Sequence, residues 1–249
     1  VSVKADHTIT FVAPKVGNYL LPGKINSGEI HTISIGEKKS DILKVSKLSK
    51  IKLNTPDFWI KRFKWPSMTD HKYKRGHILV RSGPTISTGA SRLAAVSALR
   101  AGAGAVTLAS DSDSLLVNAS HLTSVMLKEI NNADDFFNFV KEKKINTLII
   151  GPGCGVNQIT KELVIRAIKS EISFVLDADG LTLFQKNPNE LFDLLNKRRK
   201  RENIILTPHE GEFNRLFDFG NISKIDKANR AANITKSTIL FKGNDTIIS

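Results

Sequence analysis

The hydrophobic rhythm of the chain changes near residue 71. Before that point the apolar residues fall in short alternating runs. Residues 7–12 (HTITFV) and 29–35 (EIHTISI) carry the period of two of a half-buried strand, with Pro14 and Pro22-Gly23 as breaks. Residues 37–70 are polar and lysine-rich, and within them 40–53 reads either as helix or as irregular chain, so the whole stretch is taken as a connector. From residue 71 onward, short β-branched runs alternate with longer amphipathic stretches. The pattern predicts strands over 77–80, 105–109, 146–150, 173–176, 203–206 and 238–241, with one more beginning at 245. It predicts helices over 88–100, 134–143, 158–169, 181–185, 190–196, 210–217 and 225–235. Apolar strands separated by helices of this length indicate βα units on a mostly parallel sheet, an α/β fold.

In such a sheet the strand-to-helix junctions share one rim, where helix N-termini offer unpaired N–H groups to anions. Four junctions carry unusual residues: Ser82-Gly83-Pro84 with Thr88-Gly89-Ala90; Gly151-Pro152-Gly153-Cys154-Gly155; Asp177-Ala178-Asp179-Gly180; and Thr207-Pro208-His209-Glu210-Gly211-Glu212. Each has two readings. Gly89-Ala90 lets a ligand approach the backbone, or packs a helix tightly on the sheet. The glycines at 151, 153 and 155 make a phosphate-facing loop or an ordinary turn. Asp177 and Asp179 hold a metal or polarise a hydroxyl, although Asp179 also suits an N-cap. Thr207 and Glu210 fit a capping box with Pro208 at the first helical position. That box leaves His209 free to hydrogen-bond a polar substrate. Near the end, LFKGNDT at 240–246 is a hairpin whose Lys242 and turn amides can receive a nucleotide phosphate. Arg100 to Ala105 has half a dinucleotide fingerprint, but it lacks the third glycine and precedes a strand, and no Walker A sequence occurs.

Charge alters this picture little. The formal net charge is +13, from 37 basic and 24 acidic side chains, yet the basic residues are dispersed apart from Lys61-Arg62 with Lys64 and the run Lys197-Arg198-Arg199-Lys200-Arg201. That run lies between an apolar helix and a strand, so it reads as a solvated helix end; no aromatic residues interleave to stack bases, and nucleic acid is not expected as a partner. No apolar run reaches the roughly 20 residues of a membrane helix, so no membrane partner is expected. One cysteine, Cys154, excludes an internal disulfide and suits a reducing cytoplasm. The chain opens Val1-Ser2-Val3-Lys4, which reads as the middle of a longer protein.

The order of motifs resembles the ADP- or ATP-dependent NAD(P)H-hydrate dehydratases. The resemblance runs from about His71 to Ser249, on HK at 71–72, TGAS at 88–91, LRAGAGAVT at 99–107, GPGCG at 151–155, DADGL at 177–181, TPHEGEF at 207–213 and LFKGNDT at 240–246. Residues 1–36, with VKADHTITF, APK and LLPGK, look like the tail of the NAD(P)H-hydrate epimerase domain that precedes the dehydratase in bifunctional members. The implied organisation is an epimerase remnant at 1–36, a connector at 37–70 and an incomplete dehydratase domain at 71–249.

That resemblance implies a ribokinase-like three-layer α/β/α fold and a homo-oligomer, without epimerase activity. It implies a kinase-like reaction in which ADP or ATP phosphorylates the hydroxyl of a hydrated nicotinamide ring with Mg2+, and phosphate then leaves as the double bond re-forms. Ala90, Gly153 and His209 match positions that contact the hydrated dinucleotide. Lys242, Gly243, Asn244, Asp245 and Thr246 match the stretch that holds the adenine nucleotide; no metal ligands are assigned. The family's base is an aspartate in a GSGD-type loop beyond the lysine-glycine hairpin, and the expectation is that it lies past Ser249, leaving activity impaired and a sheet edge uncovered. Departures include Tyr73-Lys74-Arg75 before Gly76, Arg81-Ser82-Gly83-Pro84 for a more apolar pattern, and Cys154 for a larger residue. A vitamin or sugar kinase of the same superfamily is the alternative enzyme, and a non-catalytic remnant acting as a binding module is the alternative outside catalysis.

Overall fold

The computed structural model describes residues 2–48, 50–199 and 203–249; Lys200 and Arg201 of the basic run lie outside them. Contacts divide the chain into two units, Val1–Pro66 and Ser67–Ser249. The first unit pairs β1 (His7–Phe11) with β2 (Glu29–Ile33) in parallel, with short helices α1 (Val16–Tyr19) and α2 (Gly23–Ser27) between them. Helices α3 (Lys39–Leu48) and α4 (Pro56–Trp59) follow, so the lysine-rich stretch is in part helical.

The second unit is built on an eight-stranded sheet. Its strands are β3 (His77–Arg81), β4 (Ala105–Ser110), β5 (Met126–Glu129), β6 (Thr147–Ile150), β7 (Ser173–Leu176), β8 (Ile204–Leu206), β9 (Thr238–Phe241) and β10 (Ile247–Ile248). The order is β10-β9-β8-β7-β6-β3-β4-β5, parallel throughout except for β10, which turns back on β9. The intervening helices are α5 (Gly89–Arg100), α6 (Ser112–Ala119), α7 (Ala133–Glu142), α8 (Gln158–Lys169), α9 (Asp179–Thr182), α10 (Pro188–Asn196), α11 (Glu210–Leu216) and α12 (Lys224–Thr235). No helix among the described residues is long and apolar enough to cross a membrane.

Alternation along the strands sends neighbouring residues to opposite faces. On one face Val80, Val106 and Leu108 meet Ala95 and Ala98 of α5. Those alanines let the helix lie close. On the other, Leu79, Leu148, Ile150, Leu176, Leu206 and Ile239 are covered by aliphatic and aromatic residues of α7, α8, α10, α11 and α12. Phe213 of α11 stacks on Phe241 of β9 with centroids 4.1 Å apart. The expected strands and helices are found within a few residues; in this unit the pattern missed α6 and β5, and in the first unit α1, α2 and α4. β5 is a four-residue edge strand whose side chains are largely exposed, so it presents no apolar run.

One buried polar group departs from the sequence reading. Arg198 is not a solvated helix end: it is buried. Its guanidinium donates to the carbonyls of Ala167 (3.2 Å), Ile168 (2.8 Å) and Ile172 (2.6 Å). It thereby satisfies orphan carbonyls where α8 ends, and favours the helix dipole there. Cys154 lies buried in the loop after β6, with its sulfur receiving the Gly151 N–H at 3.2 Å. Burial pushes its thiol up to about 11.

Arg198→Ala should lower unfolding free energy by about 2–4 kcal/mol in urea titration, since buried carbonyls lose charged donors, and Arg198→Lys should recover little of it. A loss below about 0.5 kcal/mol would contradict the assignment. The raised thiol has a sign as well. Its contribution is fully present below the unfolded-state thiol value and is lost as pH rises toward about 11. Stability measured from pH 8 to 11 should therefore fall more steeply in the native sequence than in Cys154→Ala, and parallel curves would refute it.

Candidate active site

Parallel strands deliver their C-terminal ends to one rim. The chain runs β3 to β4 to β5 toward one edge, then returns to place β6 on the other side of β3. The helices that follow β3 and β6, α5 and α8, therefore pack on opposite faces, and the strand ends between them are where ligands enter open α/β sheets.

The two loops touch through their backbones. A Cβ on Gly83 would lie 1.6 Å from the Gly153 carbonyl oxygen, so no larger residue can stand there. Gly153 itself has φ +70°, a region that favours glycine. Ser87 Oγ donates to the Gly153 carbonyl at 2.9 Å. A Cβ at Gly153 would sit 3.8 Å from the Ala90 methyl, so Ala90 and Gly153, both expected at the substrate, are brought together. Thr88, the N-cap of α5, makes no side-chain cap. Ala90, in the first turn of α5, is exposed, and a helix start is where N–H groups can face an anion. Behind them Asn118 Nδ2 donates to Ser82 Oγ and Ser110 Oγ, both at 3.0 Å. Burial lowers Arg81 from its ordinary value, and its guanidinium donates to the Ile130 carbonyl at 2.8 Å.

The next loops are linked in turn. A Cβ on Gly151 would meet the Asp177 carbonyl at 1.8 Å, so this loop rests on the end of β7. Asp177 Oδ1 receives Lys242 Nζ at 2.7 Å, and the Lys242 N–H donates to the Pro208 carbonyl at 2.9 Å. Asp179 is not the expected N-cap: Ala178 occupies that position with φ +48°, and the Asp179 carboxylate accepts the Gly155 N–H at 2.8 Å. The non-glycine positive φ at Ala178 is strain of about 1–3 kcal/mol. It sets the two aspartates on different tasks, one toward Lys242 and one toward the glycine loop.

The expected Thr207–Glu210 capping box is also corrected. Thr207 still extends the sheet, its N–H donating to the Leu176 carbonyl at 3.1 Å. The box lies two residues later: His209 Nδ1 accepts from Gly211 N–H (3.0 Å) and Glu212 N–H (3.3 Å), and Glu212 Oε2 receives the His209 N–H at 2.9 Å. An accepting Nδ1 carries no proton, so the ring proton is on Nε2. His209 is therefore fixed by the cap and exposed on the rim.

In the final hairpin Gly243 and Asn244 are exposed and Thr246 Oγ1 donates to the Gly243 carbonyl at 3.1 Å. Asp245 Oδ1 receives Lys224 Nζ at 2.8 Å. Lys224 and Ser87 escaped the sequence reading, since a lysine at a helix start and a serine in a loop carry no distinguishing pattern. Among the described residues the rim holds no cluster of three His, Cys, Asp or Glu ligand atoms. Mg2+ needs only one or two carboxylates when substrate phosphates supply the rest.

A family model described as NAD(P)H-hydrate dehydratase matches residues 78–249. The bifunctional NAD(P)H-hydrate repair enzyme Nnr of Coxiella burnetii is 33% identical over 218 residues, 86% of this chain and 41% of that protein. Its counterpart in Escherichia coli is 28% identical over 254 residues, 99% of this chain and 46% of that protein. The chain spans less than half the length of these relatives. A ribokinase-like superfamily protein of Enterococcus faecalis superposes with a TM-score of 0.65 at 17% identity, over 80% of this chain and 70% of that one. The ADP/ATP-dependent NAD(P)H-hydrate dehydratase of Bacillus subtilis, co-crystallised with ATP/Mg2+, gives 0.62 at 21% identity, over 80% and 69%. The expected ribokinase-like fold with a mostly parallel sheet is thereby established, and the chain belongs to the NAD(P)H-hydrate dehydratase family.

Proposed function

We propose that the rim of the second unit repairs hydrated nicotinamide dinucleotide, using ADP or ATP with Mg2+ as phosphoryl donor. The observation that carries this reading is the meeting of Ala90 and Gly153 beneath the uncapped start of α5, in line with the Asp177–Lys242 pair and the capped His209. The small residues would let a flat ring approach backbone, and the exposed ring of His209 would hydrogen-bond the dinucleotide. Lys242, with Gly243, Asn244, Asp245 and Thr246, would hold the adenine nucleotide, and the α5 amides would face the transferred phosphoryl. Bound Mg2+ would neutralise charge on the phosphates. The hydroxyl oxygen bonds to the terminal phosphorus as the phosphoanhydride breaks. The carbon–oxygen bond then breaks, releasing phosphate, and loss of a ring proton restores the double bond.

Proton removal from the hydroxyl calls for a base. Asp177 is paired with Lys242 and Asp179 with the Gly155 N–H, so neither rim aspartate suits that role. The reading therefore gives the base role to neither Asp177 nor Asp179. The first unit fits the end of an epimerase domain, since relatives named as bifunctional repair enzymes match across 99% of the chain.

Mixing the chain with NADH hydrate, Mg2+ and ADP or ATP tests the reading through NADH absorbance. Recovery of NADH absorbance is expected, and its absence with both nucleotides would overturn the reading; selective phosphorylation of a vitamin alcohol would point to the kinase alternative. Lys242→Met should weaken ADP or ATP binding roughly tenfold in calorimetry, about 1.4 kcal/mol, and unchanged affinity would remove Lys242 from the nucleotide site. His209→Asn keeps an N-cap while deleting the ring. Its melting should stay near that of the native chain while hydrate binding weakens; a change confined to melting would leave His209 as a cap alone.

A further inference from the structure

We infer that His7, Glu29 and His31 form a site for a borderline divalent transition-metal ion, with Zn2+ as the probe and the expected occupant. The site lies wholly within the first unit, far in sequence from every residue assigned to the dinucleotide or nucleotide. Parallel pairing places His7 opposite Glu29 and Ile9 opposite His31. Glu29 and His31, two residues apart on one strand, share a face, and the register brings His7 onto it.

Their ligand atoms converge. His7 Nδ1 and His31 Nε2 are 2.9 Å apart, His7 Nδ1 and Glu29 Oε2 3.7 Å, and His31 Nε2 and Glu29 Oε1 3.9 Å. Ligand bonds of about 2.0–2.1 Å in a tetrahedron set neighbouring ligand atoms about 3.3 Å apart. The observed separations bracket that value, so the nitrogens need part and the carboxylate close by only about half an ångström. It is the one such cluster of three His, Cys, Asp or Glu among the described residues.

Two ring nitrogens that face each other need a proton between them or a cation that both ligate. The imidazoles are tilted by 38° with centroids 5.1 Å apart, so their edges converge instead of their faces stacking. Glu29 adds a negative charge that a metal would use and that a simple imidazole hydrogen bond does not require. Two imidazoles and one carboxylate suit Zn2+, Ni2+ or Cu2+, whereas Mg2+ prefers oxygen ligands. His7 and Glu29 are exposed and His31 is half-buried, which leaves the fourth position to water. An ion there would cross-link β1 to β2, a two-stranded sheet that is marginal by itself.

The test uses the whole chain without a polyhistidine tag. Zn2+ binding is measured by competition with a chromophoric chelator, and Co2+ is added for its visible spectrum. The expected result is a single micromolar site, a Co2+ band of low-symmetry coordination, and no competition from excess Mg2+. His7→Ala and His31→Ala should each weaken binding roughly tenfold or more, and Glu29→Gln should weaken it less. His121→Ala, at an exposed histidine elsewhere, should leave it unchanged. Melting curves of the variants without metal separate lost ligands from lost structure. Equal Zn2+ affinity in the native chain and both histidine variants, or no binding at millimolar Zn2+, overturns the inference, whatever the outcome at the rim.

Discussion

The rim depends on one steric contact, the Gly83 backbone pressed against the Gly153 carbonyl with no room for a Cβ. That approach fixes the separation between the loops leaving β3 and β6. The positive φ of Gly153 and the Ser87 hydroxyl on its carbonyl then set its direction. From there the linkage passes outward: the β6 loop rests on the Asp177 carbonyl, Asp177 engages Lys242, and the Lys242 amide engages Pro208. Five strand ends are joined by contacts that each involve backbone or a short ion pair. Such contacts tolerate little displacement, which is what a site positioning two ligands against each other requires.

Much of the fold was legible because the central strands are buried on both faces. β6, β7 and β9 read as short apolar runs bounded by polar or glycine residues, and their helices carry an apolar stripe. The loops were legible as composition: glycines, aspartates and a histidine concentrated where strands end. α6 and β5 were not, because an edge strand with one half-buried residue gives no periodic signal. The caps failed for a different reason. Thr207 and Glu210 satisfy a local capping pattern, but both the backbone N–H and the hydroxyl of Thr207 already donate to the Leu176 carbonyl of β7, a tertiary contact 31 residues away. Asp179 likewise answers to Gly155, 24 residues distant, instead of its own helix.

Charge misled in a similar way. Within a run of five basic residues, solvation is the ordinary expectation, and only the position of three carbonyls around the end of α8 makes Arg198 structural. Lys224 and Lys242 are each drawn to a rim aspartate, Asp245 and Asp177. Each of these pairs is neutral and adds nothing to the net charge of +13, so the lysines nearest the rim are matched by carboxylates and the total alone says little about an anionic partner.

The strand order has a consequence for the making of the protein. β6 pairs with β3 across a wide gap in sequence; the His77 amide meets Asn146, 69 residues later. Lys242 closes onto Asp177 across a further 65 residues. Loop-closure entropy makes such pairings late events in folding. On a growing chain, β3 and β4 can pair early, while the crevice stays open until the chain has doubled back. Binding competence would then appear almost at the end of folding and report on completion of the whole sheet.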